Sequence, residues 1–295
     1  MRTVFLGTTS FAVAVLERLA ATEHRPALVV TRPDRPRGRG RRLSPPPAAE
    51  AARRLGIDLA QPASVNDDEA RARIAEANPE VVCVCAFGGL IKEPLLSDYR
   101  MLNVHPSLLP RWRGAAPIER AIMAGDEVTG VTIMGVTAGL DSGPVYAEER
   151  EEIRPQDSYG TLADRLQELG GVLLVRVLDE LPEPVEQPEE GVTYAEKITP
   201  ADRGLDPARP ATELERRVRA LSPHIGAQVR LDDGSELGVL VARAGSGGGG
   251  RPGTIDVVDR CPVLACGEGA LALLEVKPPG RQAMSGEAWL RGHRR

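Results

Sequence analysis

Aromatic side chains are scarce in this 295-residue chain, at 3%, so any Phe, Tyr or Trp near a pocket has few rivals for a role there. Lysine is rarer still: only Lys92, Lys197 and Lys277 stand among the 37 basic residues. Arginine is the default cation, and an Arg-rich stretch carries less information than it would elsewhere. No apolar run reaches the roughly 18 residues of a membrane span. The N-terminus, MRTVFLGTTSFA, lacks the apolar core and cleavage site of a secretory signal. A basic excess is also missing: 42 acidic residues leave a net charge of −5. That argues against indiscriminate coating of nucleic acid, which needs many phosphate contacts, but leaves room for one local basic patch. Thiols are few. Cys83 and Cys85 alternate with Val in VVCVCAF, the pattern of small apolar side chains in a buried strand. The CxC spacing would also suit a metal, yet no nearby His or Cys completes a tetrahedral set. A reduced, cytoplasmic protein that holds no metal is expected.

What is present points to two domains, each of roughly 100–200 residues. Residues 1–180 alternate β-rich runs with helical stretches. Strands are expected at Thr3–Leu6, Pro26–Thr31, Glu80–Cys85, Met101–His105, Gly130–Met134 and Val145–Glu149. Helices are expected at Phe11–Ala21, capped by Thr9 or Ser10, and at Pro47–Leu55, Asp67–Asn78 and Ser158–Leu178. Such alternation predicts an α/β fold with a doubly wound, mainly parallel sheet, whose ligands sit at the carboxyl ends of the strands. The Pro- and Glu-rich run LPEPVEQPEEG (181–191) opens a linker over 181–204, because Pro blocks both helix and ladder. Residues 205–295 begin with a helix at Thr212–Leu221 and continue as short strands, with a flexible tip at GSGGGGRPG (245–253). A small C-terminal β-barrel of the oligonucleotide-binding type is expected. No apolar seam calls for more than a monomer.

The chemistry-bearing residues lie in MLNVHPSLLPRWRGAAPI (101–118) and AGLDSGP (138–144). Asn103 and His105, two residues apart on a strand, project from one face. With only three Asn and four His in the chain, the pair is informative. Asp141 sits in a Gly-bounded loop. An Asn amide and a His ring can stabilise an oxyanion, and a His–Asp couple can move protons. Together they suit acyl transfer to an amine, with the amine as its own nucleophile. Each motif alone also has an ordinary reading, a core-turn histidine and a backbone-capping aspartate, and spacing does not bring the two segments together.

NVHPSLLPRWRGAAPI, followed by GVTIM and AGLDSG, resembles the signature of the 10-formyltetrahydrofolate-dependent formyltransferases. FLGTTSFA (5–12), TRPDRPRGRGRRLSPPP (31–47), GVTYAEKI (191–198), LSPHIGA (221–227) and VKPPGRQAMSGEAWL (276–290) are similar to the branch of that family that formylates methionyl-tRNA. The resemblance spans nearly the whole chain. It implies transfer of a formyl group from 10-formyltetrahydrofolate to initiator methionyl-tRNA, with Asn103, His105 and Asp141 as the catalytic trio. It implies folate contacts at Phe87, Gly88, Leu90, Ile91, Ser107, Leu108, Leu109, Pro110 and Val136. Phe87 stands where many relatives carry Tyr, and Gly89 also departs from the pattern. Phe11 would wall the methionyl side chain or serve as a core residue at a helix start; Trp112 suits packing or stacking on tRNA. The basic C-terminal LRGHRR would touch tRNA or stay solvated.

RPDRPRGRGRR (32–42) holds six Arg against one Asp and reads as a projecting loop, too charged for a core. Arg forks suit phosphate oxygens. On the resemblance, Arg35, Arg37, Arg39, Arg41 and Arg42 are expected to meet tRNA, and residues 205–295 form a tRNA-binding domain. The alternative is a formyltransferase acting on a small amine, glycinamide ribonucleotide or an amino sugar nucleotide. A decayed, non-catalytic RNA-binding protein is a second rival, and a dinucleotide oxidoreductase is disfavoured because GTTSFA lacks GxGxxG. Replacing Arg39 and Arg41 by Ala is expected to weaken tRNA binding. The slope of log K against log salt should fall by about one for each phosphate that no longer meets an Arg. Equal affinities and slopes across a sodium chloride series would remove the loop from the interface.

Overall fold

The apolar runs TVFLG and VVCVC carry no polar face, which suits strands covered on both sides. Both are wholly buried, as β1 (Thr3–Gly7) and β6 (Val81–Cys85). The structure, a computed structural model, describes residues 1–37, 42–246 and 250–293. The chain folds as two compact units. One comprises residues 1–114, 128–152 and 163–194; the other comprises 115–127, 153–162 and 195–295.

In the first unit β1 leads into helix α1 (Ser10–Ala20) and strand β2 (Pro26–Val30). A short ribbon, β3 (Arg35–Arg37) and β4 (Arg42–Ser44), precedes helix α2 (Pro47–Leu55), strand β5 (Asp58–Ala60) and helix α3 (Asp68–Ala77). After β6 come the single turn α4 (Leu95–Asp98), strand β7 (Met101–His105) and short strand β8 (Arg113–Gly114). Helix α5 (Pro117–Ala124) belongs to the second unit; β9 (Val128–Gly135) and β10 (Val145–Glu152) return to the first. Helix α6 (Tyr159–Glu180) and the two-residue strand β11 (Tyr194–Ala195) follow.

Seven strands form one sheet in the order β10-β9-β7-β6-β1-β2-β5. The five from β7 to β5 are parallel, and β9 and β10 add antiparallel pairs at one edge. The expected mainly parallel, doubly wound α/β sheet is therefore present. Strand β1 pairs with β2 on one side and β6 on the other, so the winding reverses there and opens a crevice at the carboxyl ends of β1 and β6. Val4, Leu6, Val82, Val84 and Met101 share a core with Ile74 of α3 and Leu95 of α4. On β7, Asn103 and His105 lie on the same face as Met101, one and two pleats further along. On the opposite face, α6 comes close at Gly170, where a Cβ would lie 2.8 Å from Val104.

Two local expectations change. Thr9 is the N-cap of α1, but its hydroxyl makes no capping hydrogen bond; the first turn rests on the backbone bond from Val13 N to Thr9 O at 3.2 Å. The Arg-rich segment is not a plain loop: Arg35 pairs with Ser44 and Pro36 with Leu43 in an antiparallel ribbon. Arg, Pro and Gly give no strand signal, so the pattern hid it. Gly38, Arg39, Gly40 and Arg41 lie outside the described residues, as do 247–249 of the Gly-rich tip and Arg294–Arg295; only the backbone of Arg37 and Arg42 is described. No helix among the described residues is long and apolar enough to cross a membrane.

The second unit packs helix α7 (Ala211–Leu221) against a C-terminal antiparallel sheet. Its strands are β12 (Ala227–Arg230), β13 (Glu236–Gly245), β14 (Ile255–Val258), β15 (Cys261–Ala265), β16 (Ala270–Lys277) and β17 (Met284–Ser285), in the order β12-β13-β16-β15-β14 with β17 on β16. Helix α8 (Gly286–His293) closes the chain. Leu214, Val218 and Leu221 of α7 share a core with Val239, Leu271, Leu273 and Trp289.

Within this unit Arg120 of α5 meets Asp202 at 2.7 Å, and Asp202 also accepts from the Thr199 amide and hydroxyl, both at 2.8 Å. Burial works against the Asp202 charge, but the bonds from Arg120 and Thr199 outweigh it and bring its pKa down to about 2. The folded value lies below the unfolded one, so this stabilisation is present above the ordinary Asp range and disappears as pH falls toward 2. Asp202→Asn is expected to lower the thermal midpoint at pH 6, with the deficit shrinking between about pH 4 and pH 2. A deficit of the same size at every pH would contradict this reading.

Candidate active site

Strand β7 ends at His105 because Pro106 follows, and the turn beyond is pinned by two hydroxyls. Thr132, across from His105 on β9, donates to the Ser107 carbonyl at 2.7 Å and accepts from the Leu109 amide at 3.2 Å. Ser107 donates to the Arg111 carbonyl at 2.6 Å. The next residue, Trp112, has φ +64°, its amide donates to Thr193 Oγ1 at 2.9 Å, and the Arg111 guanidinium lies 4.4 Å above its ring. This folding brings the Trp112 carbonyl to 2.9 Å from His105 Nε2. A carbonyl only accepts, so Nε2 carries a hydrogen and Nδ1 is the nitrogen free to exchange one.

Nδ1 faces Asp141, whose Oδ2 is 3.7 Å away. His105 is 4% exposed, while Asn103, on the same face, is half-buried. The Asp141 backbone is left-handed, φ +44°, and Oδ2 accepts from the Gly114 amide at 2.8 Å. Gly143 must lack a side chain: a Cβ there would run into the Gly135 carbonyl. At 3.7 Å the His–Asp pair is too long for a hydrogen bond. The two motifs that spacing left unconnected meet here.

The loop after β6 is held as firmly. Ala86 and Gly88 have φ +44° and +68°. Thr8, at the end of β1, donates to the Phe87 carbonyl at 2.7 Å, and Arg32 donates to the Gly88 carbonyl. Asn66 clamps the rest: its amide donates to the Leu90 carbonyl at 2.8 Å and its carbonyl accepts from the Lys92 amide at 2.8 Å. Phe87 and Ile91 point into the core with Leu95, and Val136 packs against the same cluster. Leu90 is 69% exposed. A Cβ on Gly89 would sit 2.7 Å from the Phe87 ring, so Gly89 leaves room for that ring.

Of the other expected contacts, Ser107 and Leu109 are buried, and Leu108 and Pro110 half-buried. Phe11 is buried in α1, and Arg35 is exposed. Asn66, Thr8, Arg32 and Gln187, which donates to the Asp141 and Gly143 carbonyls, were not singled out from the sequence. Asn66 had a signal, since it is one of only three Asn. Gln187 had none, standing between prolines in a stretch without periodicity. The Cys83 and Cys85 thiols are pushed up by burial, Cys83 to about 12, which leaves them inert as nucleophiles.

A family model described as formyl transferase matches residues 1–178, and one described as formyl transferase, C-terminal domain, matches residues 197–294. The chain is 44% identical over 296 residues to a methionyl-tRNA formyltransferase of Ruegeria pomeroyi, covering 99% of this chain and 97% of that one. It is 45% identical over 303 residues to a methionyl-tRNA formyltransferase of Halorhodospira halophila, covering 99% and 96%. Among solved structures, HypX from Aquifex aeolicus in complex with tetrahydrofolic acid superposes with a TM-score of 0.67 at 19% identity. That match covers 98% of this chain but 47% of HypX, so this chain spans about half the length of HypX, and the likeness speaks for fold alone.

Asn66→Asp keeps the acceptor for Lys92 but loses the donor to Leu90 and sets a carboxylate against a carbonyl. Amide exchange over residues 86–92 is expected to accelerate about tenfold or more, the equivalent of one hydrogen bond to a charged or strained group, with exchange in β1 and β6 unchanged. Unaltered exchange in the loop would show that Asn66 does not set its shape.

Proposed function

The chain belongs to the formyl transferase family, and from that premise we propose that it transfers a formyl group from 10-formyltetrahydrofolate to the α-amine of initiator methionyl-tRNA. The observation that carries the chemistry is the placement of His105 between an obligate acceptor, the Trp112 carbonyl, and the Asp141 carboxylate, with Asn103 on the same face. The acceptor is supported by relatives 44–45% identical along almost their full length that are methionyl-tRNA formyltransferases. A small-amine acceptor has no comparable support.

An aminoacyl α-amine has a pKa near 7.7–8.0, so much of it is neutral at cellular pH and needs no covalent enzyme nucleophile. The amine donates to Asp141 Oδ2 and His105 Nδ1, and Nδ1 takes the proton that the amine loses as its nitrogen bonds to the formyl carbon. Asn103 donates from its side-chain amide to the oxygen that becomes an oxyanion. His105 then passes one proton to the folate nitrogen as the carbon–nitrogen bond to it breaks, so the proton lost by the amine balances the one gained by the leaving group. The loop 86–92 and residues 107–110 and 136 line the folate side, where rigid backbone groups suit a flat heterocycle rich in donors and acceptors. Phe11 bounds the methionyl side. Arg35, Arg37, Arg39, Arg41 and Arg42 meet the acceptor arm, and residues 205–295 hold the outer stem. We assign catalysis to residues 1–180 with 181–204 as the connection, and read the enzyme as a cytoplasmic monomer that uses no metal.

Formylation of charged initiator tRNA is expected at rates far above those with elongator tRNA, with none on glycinamide ribonucleotide. His105→Ala and Asp141→Asn should each lower the single-turnover rate by about 10²–10⁴. Near-normal rates in either variant would sink the mechanism, and preferential use of glycinamide ribonucleotide would sink the substrate.

A further inference from the structure

We infer that Gln187, in the Pro-rich segment 181–191, is a positioning residue that holds the Asp141 loop in its working shape; this rests on the catalytic reading of Asp141 above. The segment is not slack. Val185 exchanges both backbone hydrogen bonds with Val145, at 2.7 and 2.8 Å, which fixes the register of the extended chain two residues before Gln187. From there the Gln187 side chain is half-buried and uses its whole hydrogen-bonding capacity. Nε2 donates to the Asp141 carbonyl at 3.0 Å and the Gly143 carbonyl at 2.7 Å. Oε1 accepts from Arg113 Nε at 3.0 Å and Nη2 at 2.7 Å.

Arg113 is followed by Gly114, whose amide holds Asp141 Oδ2 at 2.8 Å. The side chain of Asp141 is thus tied to Gly114 and its main chain, through Gln187, to Arg113. The two ties close a ring around a residue held at φ +44°, a conformation that a non-glycine residue keeps only when its surroundings enforce it. Few side chains can do this. Glutamine supplies two donors and a two-pair acceptor at the right reach; glutamate lacks both donors, asparagine is one methylene short, and methionine fills the space without any hydrogen bond. The Pro-rich segment therefore acts on the chemistry.

The test compares full-length wild type with Gln187→Met, Gln187→Glu and Asp141→Asn, and with Gln187→Met combined with Asp141→Asn. Single-turnover formylation of charged initiator tRNA is read at saturating folate, and KM for each substrate from steady-state titration. Gln187→Met is expected to slow the wild-type enzyme by about 10²-fold, the scale of a misplacement near 1 Å. KM for both substrates should stay within about twofold of wild type, and exchange of the 139–143 amides should rise. On the Asp141→Asn background the same change should have little further effect, because the group it positions is already gone. A wild-type rate in Gln187→Met overturns the inference, as does an equal loss on both backgrounds or a loss confined to KM. Should Gln187→Glu or Gln187→Met fold poorly, amide exchange across β6 and β7 detects it, and the ratio between the two backgrounds still decides. Equal rates in Asp141→Asn and wild type would bring down the catalytic reading itself, whereas an inactive Asp141→Asn beside a fully active Gln187→Met removes only the role of Gln187.

Discussion

The Trp112 carbonyl, 2.9 Å from His105 Nε2, accepts and cannot donate, and the arrangement of the site depends on that asymmetry. It decides which ring nitrogen holds a hydrogen, and so which faces Asp141. The carbonyl keeps its place because Trp112 adopts a left-handed backbone, with Thr193 Oγ1 holding its amide. Ser107 and Thr132 stiffen the turn that precedes it. Thr132 lies on β9, paired with His105 itself. The orientation of one imidazole is thereby referred back to the register of two adjacent strands.

The same logic recurs at the other strand ends. Ala86, Gly88, Trp112 and Asp141 all have positive φ and stand in loops beyond β6, β7 and β9, and Gly114, also at positive φ, ends the short strand β8. Strain of this kind costs of order 1–3 kcal/mol per non-glycine residue, and it persists where hydrogen bonds over-determine the backbone. Thr8, Arg32 and Asn66 do so for the loop after β6; Gln187 and the Gly114 amide do so for Asp141. A catalytic centre assembled from loops thus gains the stiffness of the sheet beneath it, and stiffness is what positioned donors require.

Elements that bury both faces or follow strong start and stop signals were the legible ones. The helix at Pro47–Leu55 and the strand at Met101–His105 have the bounds that their patterns predict. The former has Pro at its first position and Gly56 in a left-handed C-cap; the latter is stopped by Pro106. The ribbon of Arg35–Arg37 and Arg42–Ser44 was not legible, because its residues are poor strand formers. Strand β5 and helix α5, with three and eight residues, were too short to show a period.

The sequence alone determined an α/β sheet with its reactive residues at strand ends, since apolar alternation and Pro and Gly punctuation act over a few neighbouring residues. It also put Asn103 and His105 on one face, because strand side chains repeat every two residues. The tertiary structure alone decided that Asp141 reaches His105, 36 positions earlier in the chain, that a backbone carbonyl selects the histidine's hydrogen, and that Gln187 closes the ring around Asp141. The first and third join segments far apart in sequence, the second links residues seven positions apart across a turn, and none leaves a periodic trace in the chain.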